Sequence, residues 1–152
     1  YTMPFYFGLK EDGIALINND GPMNLHRDQA AELKERRAKL YYFPATKISL
    51  EVAGMDLATN MALMGCIGAI TGLTSMAGLD QAVKDRFLGK GFVVSGGTAA
   101  LDSVVERKFK KKQELIEKNV AVMRAGWNYA VDHGWAAADV KRVEEPVAAA
   151  TA

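Results

Sequence analysis

Two stretches of the 152-residue chain carry side chains or backbone suited to an anion. Arg107-Lys108-Phe109-Lys110-Lys111-Lys112 places five basic residues in a run of six, with one aromatic ring interleaved. Such a run could meet phosphates of nucleic acid or of a nucleotide cofactor such as coenzyme A. It reads equally as a solvated helix face whose charge is offset by Asp102, Glu106, Glu114 and Glu117, and a net charge of only +1 argues against a nucleic-acid binder. Ser95-Gly96-Gly97-Thr98, ahead of a helix, offers backbone N–H groups to an anion. No Gly-Lys-Ser/Thr follows at Walker spacing, so a turn and cap is the plainer reading.

The remaining reactive types are sparse. His26 and His133 lie far apart, each without a second ligand at metal-binding spacing, and a surface or capping role fits both. Cys66, the single cysteine, sits among Met64, Gly65 and Ile67 and reads as a buried structural thiol. It cannot form an internal disulfide or supply an iron–sulfur site, and it fits a reducing compartment. Asn60, a polar amide at the start of an apolar helix, either caps that helix or points into a site. The residues alone contain no catalytic constellation.

The elements that must position them read as α/β. Ile14-Ala15-Leu16-Ile17, bounded by Asp12-Gly13 and Asn18-Asn19-Asp20-Gly21-Pro22, is a continuous apolar run expected as a parallel strand buried on both faces. His26 to Leu40 carries Ala30, Leu33, Arg37 and Leu40 on a charged background and predicts a surface helix. Leu40-Tyr41-Tyr42-Phe43 predicts a strand ended by Pro44. Thr46 then caps a short helix closed by Gly54, and a second helix spans Asn60 to Gly72. Its Gly65, Gly68, Ala69 and Gly72 predict a smooth stripe where a neighbouring backbone approaches closely. Ser75 opens a helix through Leu79, Val83 and Phe87 to Gly89-Lys90-Gly91, and Phe92 to Thr98 reads as an extended piece and glycine turn. Asp102 to about Tyr129 predicts a long helix with Leu101, Val104, Val105, Lys108, Lys112, Leu115, Ile116, Val120 and Met123 recurring on one face. An alanine-rich tail runs from Trp135 to Ala152 and reads as a peripheral extension.

Length and composition bound the rest. At 152 residues with 49% hydrophobic and 24% charged residues, the chain fits one globular core. The run Met61 to Leu73 is too short to cross a bilayer. The aromatic opening at Tyr1, with neither an initiator Met nor a signal segment, reads as interior to a longer protein.

Four stretches, in this order and spacing, carry a resemblance: Gly8–Asn18 (GLKEDGIALIN), Phe43–Gly54 (FPATKISLEVAG), Thr59–Cys66 (TNMALMGC) and Lys110–Asn119 (KKKQELIEKN). The chain resembles the gamma subunit, or gamma domain, of the 2-oxoacid:ferredoxin (acceptor) oxidoreductases, over about Gly8 to Tyr129. The resemblance implies the C-terminal part of a Rossmann-like three-layer α/β domain, followed by a long helix and an alanine-rich tail: residues 1–130 a partial gamma domain, 131–152 an extension. It further implies a cytoplasmic subunit of a complex that oxidatively decarboxylates a 2-oxoacid to an acyl-CoA and passes electrons to ferredoxin. Thiamine diphosphate and iron–sulfur clusters would belong to companion subunits, with this chain enclosing the active site and supporting coenzyme A. No catalytic residue is carried over. Asn60 falls on the family's Asn-Met motif and Lys111, Lys112 and Asn119 match its Lys-rich segment, and the resemblance implies these four as the cofactor-binding residues. Ala58 or Thr59 stands where fused pyruvate enzymes have Arg, so an arginine–phosphate contact is not carried over. The family's glycine-rich opening and first βα units are missing ahead of Gly8, which predicts an incomplete sheet with an exposed apolar edge. The rival reading is a non-catalytic α/β interaction module that binds protein or nucleic acid through its basic helix.

Overall fold

The computed structural model describes residues 3–89 and 99–144, and the chain divides into two compact units, residues 1–45 and 46–152. The expected Phe92–Thr98 extended piece and the Ser95–Thr98 turn lie outside the described residues, as does the end of the tail.

In the first unit, β1 (Ile14–Asn18) pairs in parallel with β2 (Lys39–Phe43), with Ile14 opposite Lys39 and Asn18 opposite Phe43. The strand–helix–strand order is as expected; the burial is not. Ile14 to Ile17 are half-buried and Asn18 is exposed, in a sheet of two strands among the described residues and without the cover on both faces that a buried parallel strand needs. The crossover helix α1 (Arg27–Glu35) stops well before Leu40. Arg37 turns the chain with φ 53°, and Asp12, with φ 56°, turns it before β1. Arg37 donates to both carboxylate oxygens of Asp12 (2.8 and 2.9 Å), which ties the two left-handed turns together. His26 stands at the N-cap of α1, its N–H donating to Gln29 Oε1 (3.2 Å).

The second unit is helical. Helix α2 (Ala45–Ala53) begins immediately after Pro44, so Thr46 lies inside it instead of capping it. Proline's fixed φ already suits the entry to a helix. Gly54 closes α2 at φ 68°, as expected. A 3₁₀ turn over Asp56–Ala58 leads into α3 (Thr59–Thr71), whose N-cap position is Ala58. Asn60 is therefore within the first turn of α3, exposed, and does not cap it. Ser75 caps α4 (Met76–Leu88) by accepting from the Gly78 N–H at 3.0 Å. Helix α5 runs over Ala99–Asp132, 34 residues and about 51 Å long at 1.5 Å per residue.

The core of this unit is the crossing of α3 on α5. A Cβ added to Gly65 would stand 1.8 Å from the Met123 carbonyl oxygen, and one on Gly126 would stand 2.1 Å from that of Ala62. Backbone thus meets backbone in both directions, with α3 and α5 antiparallel. The expected close-approach stripe holds at Gly65. Gly72 is the left-handed C-cap of α3 (φ 65°). Around the crossing, Cys66, Ala69, Val122, Met123, Trp127 and Ala130 are buried.

Residues 135–143 return along this helix pair. The Ala137 N–H donates to the Ala69 carbonyl (3.0 Å) and Trp127 Nε1 donates to that of Lys141 (2.9 Å). Asn128 clasps Val143 twice, Nδ2 donating to its carbonyl (2.7 Å) and Oδ1 accepting from its N–H (2.8 Å). The described part of the tail is fastened to its own chain.

Candidate functional site

The apolar periodicity of α5 changes partner half-way. From Ile116 onward the inward positions Ile116, Asn119, Val120, Met123 and Trp127 are buried. Before it, residues 103–115 stand exposed apart from half-buried Val105. Val104, Phe109 and Leu115 retain 49%, 41% and 37% exposure. The repeat read from the sequence is continuous, yet only its second half has a helix against it among the described residues.

Lys108, Lys111, Lys112 and Leu115 line one concavity on that projecting half. Lys111 and Lys112 are therefore side by side on an open cationic face. Asn119 is buried, with its Nδ2 donating to the Leu115 carbonyl of its own helix (2.8 Å). Asn60 is not with them. The Ala62–Gly126 contact fixes the start of α3 beside the C-terminal half of α5, and Gly126 is 14 residues from Lys112, about 21 Å of helix. Exposed Leu57 and Met64 accompany Asn60 instead.

Periodicity gave no sign of a second groove, of about 630 Å³, lined by Asp80 and Lys84 of α4, Ile116, Glu117, Val120, Ala121 and Arg124 of α5, and Val143 and Glu144. Lys84 Nζ bridges Asp80 Oδ2 at 2.9 Å, while Asp80 Oδ1 and Arg124 Nε are buried without a hydrogen-bond partner among the described residues. The Asp80–Lys84 spacing of four was the one sequence signal for part of it. The fully buried Cys66 thiol is pushed up to about 12 by desolvation, which keeps it a protonated packing group. Exposed His133 stacks on Tyr129 with ring centroids 3.8 Å apart, its Nδ1 2.8 Å from the Tyr129 carbonyl oxygen, at the end of α5. Among the described residues no group of three or more His, Cys, Asp or Glu converges as a metal site, and no helix is long and apolar enough to cross a membrane.

The family model for pyruvate ferredoxin/flavodoxin oxidoreductase matches residues 2–102, well over half of the chain. The chain belongs to this family. Within the pyruvate ferredoxin/flavodoxin oxidoreductases it is similar to the pyruvate/ketoisovalerate oxidoreductases common subunit gamma of Pyrococcus abyssi, 36% identical over 59% of this chain and 46% of the relative. The subunit of the same name in Pyrococcus furiosus is 34% identical over 55% of this chain and 43% of the relative. The pyruvate synthase subunit PorC of Methanothermobacter marburgensis is 33% identical over 56% and 42%. The matched part spans less than half the length of these curated relatives. No solved structure matches the chain significantly. The resemblance to gamma subunits read from Gly8–Asn18, Phe43–Gly54, Thr59–Cys66 and Lys110–Asn119 is borne out.

Proposed function

We propose that this chain serves as a gamma-type subunit, or part of one, in a 2-oxoacid oxidoreductase complex that oxidatively decarboxylates a 2-oxoacid to an acyl-CoA and passes the electrons to ferredoxin or a similar acceptor. The observation that carries this reading is the family match over residues 2–102. Residues 1–130 would form part of a Rossmann-like gamma domain and 131–152 an extension.

The chain's own donors define its share of the chemistry. An iron–sulfur cluster requires several thiolates, and one buried, protonated Cys66 does not fit that need. Thiamine diphosphate and the clusters are accordingly assigned to companion subunits, and no step of the reaction passes through a residue of this chain. Its role is to enclose and position. Asn60, exposed beside Leu57 and Met64 at the start of α3, is the proposed contact toward the coenzyme A side. Lys111 and Lys112 form a separate cationic face suited to phosphate or carboxylate, and Asn119 supports the helix beneath it. Family membership does not favour the alternative of a non-catalytic module that binds protein or nucleic acid through its basic helix.

The test is co-expression with the companion subunits and assay of coenzyme A-dependent oxidation across a 2-oxoacid panel, with Asn60→Ala beside the wild type. The expected result is a complex containing this chain, with Asn60→Ala raising the KM for coenzyme A several-fold. Full activity from a complex that excludes the chain would sink the reading.

A further inference from the structure

The projecting half of α5 is two-faced in charge. At roughly 100° per residue, Val104, Lys108, Lys111 and Leu115 lie within about 60° of one another, with Lys112 at their border. Glu106 and Glu117 lie roughly 170° and 150° from its centre, while Glu114 borders the face on the Lys111 side, about 60° from that lysine. The near-neutral sum therefore hides a face of lysines and apolar side chains whose nearest carboxylate among residues 103–115, Glu114, stands at its edge. The concavity between Lys108, Lys111, Lys112 and Leu115 lies on this face, and Val104 and Leu115 remain open at its two ends. Further along α5 the inward positions Ile116 and Val120 are buried, and they point roughly 110° and 150° around the helix from this strip.

We infer that residues 103–115 of α5 are a docking face for a surface on a companion subunit that is acidic at its centre and apolar at its two ends. This rests on the reading of the chain as a subunit of a larger complex. Charge complementarity selects the partner: Lys108 and Lys111 seek carboxylates, and Val104 and Leu115 at the ends of the same strip seek apolar side chains. A phosphate backbone would leave those two uncovered, so a protein surface fits better than nucleic acid or a lone cofactor phosphate.

The experiment compares the co-expressed complex of wild type, Lys108→Glu/Lys111→Glu and Glu106→Lys/Glu117→Lys, with circular dichroism confirming equal helix content. Subunit dissociation is followed against salt. The Lys→Glu pair is expected to weaken association at least tenfold and flatten its salt dependence, with the Glu→Lys pair within about twofold of wild type. A folded Lys→Glu variant that assembles with wild-type affinity overturns the inference while leaving the subunit reading intact. Equal loss in both pairs also overturns it, as does unchanged assembly coupled to lost binding of duplex DNA or of coenzyme A. A wild-type chain that joins no companion subunit would remove the subunit reading itself and this inference with it.

Discussion

Gly65 and Gly126 show how single residues set the helical unit. Each leaves room for the other helix's carbonyl at a distance no Cβ would tolerate, 1.8 and 2.1 Å respectively. Gly65→Ala or Gly126→Ala must therefore push two backbones apart. The expected cost is about 3 kcal/mol, a fall in Tm of about 10 °C for a chain of this size. Gly21→Ala, which meets nothing within 4 Å, should shift Tm by little. Equal melting of all three variants would contradict the crossing. The Gly65 half of this contact is legible as a small residue in an apolar helix; its mate Gly126, in Arg124-Ala125-Gly126-Trp127, is a lone glycine in a long helix, and nothing in linear order pairs it with Gly65. Cys66 allows a second test. Its thiol is raised to about 12 by burial, against about 8.5 unfolded, so the unfolded chain loses the proton first. Stability from this group is full below about pH 8.5 and declines as pH rises toward 12. Denaturant midpoints at pH 8 and pH 10 should fall further for the wild type than for Cys66→Ala, and Ellman's reagent should react with Cys66 only on unfolding.

The elements were largely readable because their boundaries are chemical: Ser75 caps α4, Gly54 and Gly72 end α2 and α3, and Asp-Gly precedes β1. The misses have local causes. The Thr46 hydroxyl is the usual signal of a cap, but α2 starts at Ala45, directly after Pro44 and two residues before a Thr46 cap would start it. Helix α1 ends at Glu35 because Arg37 adopts a left-handed turn held by Asp12, a pairing 25 residues apart that periodicity does not register. That same guanidinium holds the Asp12 carboxyl below its usual range, but both side chains are exposed and the pair adds little stability. The strap over residues 135–143 was legible only as a tail. Its anchor is Asn128, buried in α5, which satisfies both backbone groups of Val143. Asn128→Ala should cost about 2 kcal/mol and speed trypsin cleavage after Lys141 and Arg142; unchanged cleavage would show that the strap is held elsewhere.

For the molecule as a whole, the sequence disclosed the family but not the sites. Lys111 and Lys112 share a face, whereas Asn60 is some 21 Å or more along the helix pair; linear order contains no crossing geometry, so their separation could not be seen in it. The groove that joins Asp80 to Arg124 was invisible for the same reason. Apolar surface left open at Met3, Phe7, Leu57 and Leu73 fits a chain that works among partners. Expressed alone, it should associate as concentration rises, detectable by light scattering, and a monodisperse monomer at all concentrations would speak against that. Helix α5 turns this into something observable amide by amide. A helix packed along half its length borrows tertiary stability for that half only, so hydrogen exchange should be slow from about Ile116 to Ala130 and fast over Val104 to Gln113. One continuous helix would then exchange as two populations, and the slow one would lengthen toward the N-terminus when a partner arrives.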